Sequence, residues 1–375
     1  MKDKMKVLLI AYNNLGKGGI QNQIMGIVRS LKDKANFDIV IWDSVRDYYR
    51  PELEQYNVNI IECFRSAGKS TLWKKADTFL RYHSIRKTIE DVIDTYGPYD
   101  VIHCHNAYDA APCLEAAYSK GIPVRISHAH NTENPSLHRK RTYPAYKVLY
   151  AHNRRKIHRY ATHRIGCSKE VADYFFGKDA GQVVHIGIDL TACTEIDIPK
   201  RDTSIRKLLH VGSMGEQKNQ LFLAEMMEQL VQIRNDVHLT MIGGGTEYLE
   251  KVRNLMAEKQ LEDYITILPP ETDAPQAMAE ADLFVFPSTF EGFGIVLIEA
   301  QAAGLPCIAS DIVSKEADCG GIQYYPLAEG AANWAEMIHR KIEDGLSHER
   351  KYDVSEFSVE NMSRCMYEIY DHSGR

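Results

Sequence analysis

Two carboxylates, Glu291 and Glu299, stand eight positions apart in FVFPSTFEGFGIVLIEAQAAGLPCIASD, residues 284–311. This stretch reads as an apolar strand, a Pro287-Ser288 loop, a Glu-Gly step, a helix, a Gly-Leu-Pro turn and a second apolar strand. Gly292 and Gly294 let the backbone bare its N–H groups where the helix begins. Such a start binds phosphate without needing a basic side chain. With the helix starting near Gly294, Glu299 lies about one and a half turns in, while Glu291 stays on the loop at its mouth. One carboxylate then reaches a ligand in front of the helix and the other a ligand beside it. A nucleoside diphosphate with a sugar at one end and a ribose at the other suits that geometry.

Further residues of chemical interest are grouped around glycines and histidines. Gly212-Ser213-Met214-Gly215-Glu216-Gln217-Lys218-Asn219 follows the strand-like LLHV and precedes a helical run, so it reads as a strand-to-helix phosphate loop with Lys218 as its cation. Gly243-Gly244-Gly245 follows HLTMI and reads either as a close backbone approach to a ligand or as a plain turn. Gly16-Lys17-Gly18-Gly19 lies between the first strand and the first helix. His103 and His105 end one strand-like run, and His128 and His130 end another. Parallel strands deliver such ends to one crevice. Four imidazoles there could bind metal, but no carboxylate shares their spacing and Cys104 points to the opposite face of its strand. The expectation is therefore that the protein uses no metal. If Val124 and Ile126 face the core, His128 shares their side and His130 is the freer ring.

The elements that must position these groups follow from the whole chain. Its 375 residues are 44% hydrophobic and 26% charged, enough for two cores and ordinary for a soluble globular protein. No apolar run approaches the ~18 residues of a membrane span, and MKDKMKVLLIAYNN reads as a first strand rather than a signal peptide. The eight cysteines form no C-x-x-C pair, so buried, reduced thiols in a cytosolic protein are expected. Strand-like runs at 7–12, 37–42, 58–62, 100–103 and 124–128 alternate with helical patterns, beginning with a helix at about 20–31. The alternation restarts at 207–211, 238–242, 264–268, 283–286 and 306–309. This is the pattern of α/β domains with parallel sheets. The polar stretch 187–203 marks the boundary, and residues 355–375 look helical.

Charge is distributed unevenly. Residues 134–169 carry ten Lys/Arg and no Asp or Glu, whereas the rest of the chain has 35 Lys/Arg against 51 acids. Within this block Tyr146, Leu149, Tyr150, Ile157, Tyr160 and Ala161 recur at helical spacing, with most of the cations off that stripe. A helix packed by its apolar face, with Arg139, Lys140, Arg141, Lys147, Arg154, Arg155 and Arg159 offered to an anionic membrane surface or a lipid-linked diphosphate, is the favoured reading. A solvated face is the alternative. No nucleic-acid reader motif accompanies the charge.

The segment from Pro287 resembles the donor signature of the retaining glycosyltransferases of family 4. It has Pro-Ser, then Glu291-Gly292-Phe293-Gly294, then Glu299, and continues through Ala300, Ala303, Gly304 and Pro306. The resemblance implies the GT-B fold: α/β, with two Rossmann-like domains facing across a cleft. The first would span 1–190, closing at Gly187-Ile188-Asp189, and the final helix, 355–375, would pack back on it. The second, 191–354, would bind the nucleotide sugar. It further implies a donor site of Gly18, Gly19, Gly212, Ser213, Lys218, Asn219, Gly243, Leu268, Glu291, Gly292, Phe293, Gly294, Ile295 and Glu299. The backbone at Leu268 would meet the nucleobase, and Glu291, His130 and Lys218 would act at the reacting centre. His105, His128 and His130 would lie on the acceptor side. The family's Arg five residues before Lys218 is Ser213 here, which removes one cation from the expected diphosphate clamp. No protein nucleophile is implied and no Asp-x-Asp motif is suitably placed, so no cofactor or metal is expected. UDP is the nucleotide expected from family frequency. SHAHN and QKN resemble the capsule and exopolysaccharide branch, which implies a lipid-linked glycan acceptor and a cytoplasmic place on the inner face of the membrane. Sugar-nucleotide 2-epimerases of the same fold and a non-catalytic sugar-nucleotide-binding subunit remain as alternatives.

Overall fold

The structure is a computed structural model that describes residues 4–11, 15–16, 19–42, 48–63, 73–105, 107–130, 143–196, 204–291, 293–346 and 352–371. The chain forms two compact units. One comprises 1–187 with 357–375, and the other 188–356.

The first unit is built on strands β1 (Met5–Ile10), β2 (Ala35–Ile41), β3 (Asn59–Glu62), β4 (Val101–Cys104), β5 (Val124–Ala129), β6 (His163–Gly166) and β7 (Gln182–Val183). They lie in the order β3-β2-β1-β4-β5-β6-β7, and every neighbouring pair is parallel. A parallel sheet covered on both faces needs apolar residues at nearly every position. MKVLLI in β1 and VIHC in β4 meet that demand, with Val7 to Ile10 and Val101 to Cys104 all buried. Helix α1 (Gly19–Leu31) covers one face and is joined there by the C-terminal helix Val359–Asp371. That last helix sets Met362, Met366 and Tyr370 one turn apart on its buried side. Met362 lies so close to Gly187 that an added Cβ there would sit 2.8 Å from its side chain. The opposite face takes α2 (Ala110–Ser119), against which α3 (Tyr143–Tyr160) packs.

The second unit holds β8 (Arg206–Val211), β9 (Val237–Ile242), β10 (Ile265–Leu268), β11 (Leu283–Phe286), β12 (Cys307–Ser310) and β13 (Ile322–Tyr325). Their order is β10-β9-β8-β11-β12-β13, again parallel throughout. Helices α4 (Gln220–Ile233) and α5 (Ile295–Ala302) follow β8 and β11. Strands β6, β7 and β13 were not apparent from apolar runs: HRIG and IQYY are half polar or only partly buried, and β7 is two residues long.

All eight cysteines are unbridged. Cys104, Cys113, Cys167, Cys193 and Cys307 are buried. Among the described residues no helix is long and apolar enough to cross a membrane.

The ends of β8 and β9 approach so closely that only glycine fits at Gly243. A Cβ there would stand 2.0 Å from the Gly212 carbonyl oxygen, a backbone atom. Gly243→Ala should therefore force the two loops apart, lowering stability by roughly 1–3 kcal/mol. Thermal unfolding checks this, and an unchanged midpoint would show that the loops have room to spare.

Candidate functional site

Strand order defines where a ligand sits in a sheet of this kind. The chain leaves β8 for β9 on one side, while β11 lies on the other, so the loops after β8 and β11 part and leave a crevice at their carboxyl ends. Residues 212–219 and 287–294 form those two loops. They are stitched together: the Thr289 N–H donates to the Gln217 carbonyl at 2.9 Å, its hydroxyl donates to the Glu216 carbonyl at 3.0 Å, and the Asn219 amide donates to the Pro287 carbonyl at 3.2 Å. Asn219 adopts the left-handed conformation (φ 60°) as it opens α4.

Two residues that sequence reasoning missed hold the β8 loop in shape. Gln220 is fully buried. Its oxygen accepts from the Gly215 N–H at 3.1 Å, and its amide nitrogen donates to the Ser213 carbonyl at 3.1 Å. His210 lies beside Phe284 and Phe286 and donates from Nδ1 to the Val285 carbonyl at 3.0 Å, which leaves Nε2 to accept from Gln220 at 3.2 Å. Burial holds the His210 ring down to about 4, so it is neutral near pH 7. The only sequence signal for this pair was a polar side chain at the start of an apolar helix.

Lys218 and Glu291 are brought together as an ion pair, with side chains 15% and 11% exposed. The Lys218 ammonium also lies 4.5 Å from the centre of the Phe286 ring. Gln217 reaches the other Glu291 oxygen at 3.5 Å. Ser213 is exposed, and by sequence Lys218 is the sole cation of the two loops. Gly294 caps α5 in the left-handed conformation (φ 84°), as a residue without Cβ can, and Phe293 is buried behind it. Helix α5 opens at Ile295, so its first N–H groups have no partner within the helix.

Glu299 differs from its neighbours. No side chain or backbone donor meets its carboxylate among the described residues, and burial pushes its carboxyl above the usual range. The hydroxyl of the fully buried Ser288 is likewise unmet. Both groups belong to the β11–α5 segment. The Leu268 carbonyl accepts from the Gly243 N–H at 3.1 Å, which ties the end of β10 to the same cluster of loops. Gly18 and Gly292 lie outside the described residues, and Gly19 opens α1.

In the first unit, His103, His105, His128 and His130 form one stack. Ring centres lie 4.1 Å apart for His103 and His105, 5.1 Å for His105 and His130, and 4.3 Å for His128 and His130. His103 Nε2 pairs with His128 Nδ1 at 3.1 Å, His105 Nδ1 with His130 Nε2 at 2.9 Å, and His103 Nδ1 with the Tyr370 hydroxyl at 2.8 Å. Burial pushes His103, His105 and His128 well below the usual imidazole range and His130 to about 3. The ring expected to be freer, His130, is the most exposed of the four, but it is still buried. Residues 124, 126, 128 and 130 share one parity, so His130 continues the buried face and is only 7% exposed. Cys104 does turn the other way, toward Cys113 of α2.

On α3, Lys147, Arg155 and Arg159 are exposed, and Val148 beside them is 73% exposed. Arg154 is less exposed than these. It is half-buried, and its guanidinium lies over Gly177, where an added Cβ would be 2.5 Å away. Lys156 is paired with Glu115 at 3.1 Å. Arg139, Lys140 and Arg141 lie outside the described residues.

Two parallel-sheet Rossmann-like units are the parts from which the GT-B fold is built. Comparison with known proteins makes the class specific. Residues 17–192 match the family described as Glycosyltransferase Family 4, and residues 205–344 the family described as Glycosyl transferases group 1. The two matches together take in most of the chain, which belongs to the glycosyltransferases.

Among curated relatives, "Putative glycosyltransferase EpsF" of Bacillus subtilis is 27% identical over 390 residues, covering 100% of this chain and 96% of its own. The Escherichia coli UDP-Gal:alpha-D-GlcNAc-diphosphoundecaprenol alpha-1,3-galactosyltransferase is 25% identical, covering 69% of this chain and 72% of its own. Among solved structures, Anabaena Alr3699/HepE in complex with UDP and glucose superposes with a TM-score of 0.72 at 18% identity, covering 98% of this chain and 99% of that one. The lipopolysaccharide outer core galactosyltransferase WaaB superposes with 0.73 at 17% identity, covering 98% and 99%.

The unmet Glu299 carboxylate has a measurable signature. The folded protein holds its proton to a higher pH than the unfolded chain does. The contribution to stability is therefore fully present at low pH and is lost as the pH rises from the ordinary carboxylate range through the raised folded value. Glu299→Gln should remove this loss. Urea unfolding should find the variant more stable than wild type at about pH 7.5, with the gap closing toward about pH 4. A variant less stable at neutral pH would mean that the carboxylate has a stabilising partner.

Proposed function

We propose that this glycosyltransferase takes a hexose from a UDP-sugar and transfers it, with retention at the anomeric carbon, to a lipid-linked glycan during capsule or exopolysaccharide synthesis. The observation that carries the donor assignment is Glu299, a half-buried carboxylate that no donor meets among the described residues, one turn into the helix that Gly294 opens. A ribose diol supplies the hydrogen bonds that the carboxylate lacks. The diphosphate lies at the start of α5, where the helix dipole and Lys218 stabilise the leaving group. Glu291, paired with Lys218, is placed nearer the sugar, and the glycines 212 and 243 let the backbone approach the nucleotide. His130, the most exposed of the four rings, supplies a polar contact on the acceptor side. The UDP and UDP-glucose of the HepE complexes and the UDP-Gal and diphosphoundecaprenol in the name of the Escherichia coli relative favour these substrate classes.

Paired variants test the donor site. Charged hydrogen bonds contribute roughly 1.5–3 kcal/mol, so Glu299→Ala should weaken UDP binding by about ten- to a hundredfold in calorimetry. Glu291→Gln should instead lower turnover by about a hundredfold or more and change UDP affinity far less. Unchanged UDP affinity in a folded Glu299→Ala protein would remove the ribose role. A 2-epimer formed from UDP-sugar without any acceptor would replace transfer by epimerisation, and donor binding with neither product would leave a binding subunit.

The exposed α3 face carries the membrane part of the reading. Lys147, Arg155 and Arg159 flank the exposed Val148, and each cation near an anionic surface contributes about 1 kcal/mol, screened by salt over roughly 8–10 Å. Replacing the three with Glu should release the protein from phosphatidylglycerol vesicles while UDP binding persists. Equal sedimentation of wild type and triple variant at low salt would leave α3 as a solvated or acceptor-binding face.

A further inference from the structure

The histidine stack contains more unmet nitrogen than a packed core tolerates. His105 Nε2, His128 Nε2 and His130 Nδ1 are buried and have no hydrogen-bond partner among the described residues. An orphaned polar atom in a protein interior is rare, because its lost hydration is not compensated. Three in one stack point to something that the stack receives.

One assignment of the ring protons leaves two lone pairs available. If His128 donates from Nδ1 to His103 Nε2, then His103 donates from Nδ1 to the Tyr370 hydroxyl and the His128 Nε2 lone pair is left free. If His105 donates from Nδ1 to His130 Nε2, its own Nε2 lone pair is free. The free nitrogen of His105 then sits on a ring held at its other nitrogen by His130, as a second group orients a metal-bound histidine. One nitrogen from each of His103, His105 and His128 falls within 4.8 Å of the others. A tetrahedral ion with bonds of about 2.0–2.1 Å separates its ligands by about 3.3 Å, so a modest closure of the rings suffices.

We propose that His103, His105 and His128 form a binding site for a borderline divalent transition-metal ion of the Zn2+ or Co2+ class. His103 joins by exchanging its bond to His128 for the ion, while Tyr370 keeps its ring in place and His130 holds His105. The donor set is all imidazole, which suits such ions and not the oxygen-seeking Mg2+ or Ca2+. The site lies in the first unit and does not depend on the assignment of the donor.

Equilibrium dialysis of the full chain against Co2+ or Zn2+, without nucleotide, tests this. About one equivalent should bind. Co2+ should show the visible bands of a nitrogen-ligated ion, and excess Mg2+ should not compete. His105→Ala and His128→Ala should each lower the affinity at least about tenfold, whereas His152→Ala, at an exposed ring on α3, should not change it. Should both alanine variants fail to fold, Tyr370→Phe keeps all three rings and should still weaken Co2+ binding by about tenfold. Absence of bound metal in the wild-type protein, or binding that survives His105→Ala and His128→Ala, would overturn the site and leave the nitrogens to water.

Discussion

Parallel pairing is the constraint from which the rest follows. Every described strand pair in either unit runs the same way, so all carboxyl ends gather on one edge of each sheet. The chain order then reverses once per sheet, between β1 and β4 in the first unit and between β8 and β11 in the second. Loops diverge only at those places, and backbone N–H groups and polar side chains can reach a ligand there without breaking the sheet. The residues with chemistry follow that rule. The loops at 212–219 and 287–294 flank one reversal, and His103 and His105 end a strand of the other. Gly243 is a consequence of the same geometry, because a neighbouring strand end leaves no volume for a side chain beside the Gly212 carbonyl.

Within this frame, satisfied and unsatisfied polar groups separate architecture from function. Gln301 and Glu299 lie two residues apart on α5. Gln301 is completely met: its nitrogen donates to the carbonyls of Leu297 and Ala317 at 3.0 and 2.8 Å, and its oxygen accepts from the N–H groups of Cys319 and Gly321 at 2.8 and 3.1 Å. It pins the helix to the segment that leads into β13. Glu299 has no such partner and bears a desolvated carboxylate instead. Gln220 and His210 repeat the satisfied case behind the β8 loop, and the histidine stack repeats the unsatisfied one. A low-dielectric interior magnifies both outcomes: paired groups rigidify the loops, and unpaired ones are costly to leave unmet.

The sequence exposed the strands because central parallel strands are apolar at successive positions. LFVF at 283–286 and VIHC at 101–104 are buried throughout. Edge and short strands lack that signature, which hid His163–Gly166 and Ile322–Tyr325. The glycine-started helix and its two carboxylates were legible because glycine conformation and carboxylate spacing are local properties. Contacts between distant segments were not. Nothing in the sequence joins Tyr370 to His103, or Gln220 to His210, until the helices are packed. Arg154 was misplaced for a related reason. Helical periodicity assigns a face but not the neighbour that covers it, and Gly177 leaves room for the guanidinium. His130 shows the converse, since strand parity alone already placed it with His128.

In the donor site proposed here, the Lys218–Glu291 pair decides how loops with Ser213 in place of a cation would handle a diphosphate. Alone, a carboxylate beside the phosphate pocket would repel the ligand. The two side chains are largely withdrawn from water, so separating them would leave a buried charge uncompensated at a cost of about 3–5 kcal/mol. A ligand therefore gains most by joining the pair rather than breaking it. An ammonium has three donors, and Glu291 need occupy only one. The carboxylate then aims Lys218, the remaining donors are free for phosphate oxygens, and the helix amides at Ile295 supply the rest of the positive potential. In this arrangement the missing cation at Ser213 reduces the field on the diphosphate without abolishing it, and the Glu291 side chain governs the orientation of the sole cation in both loops.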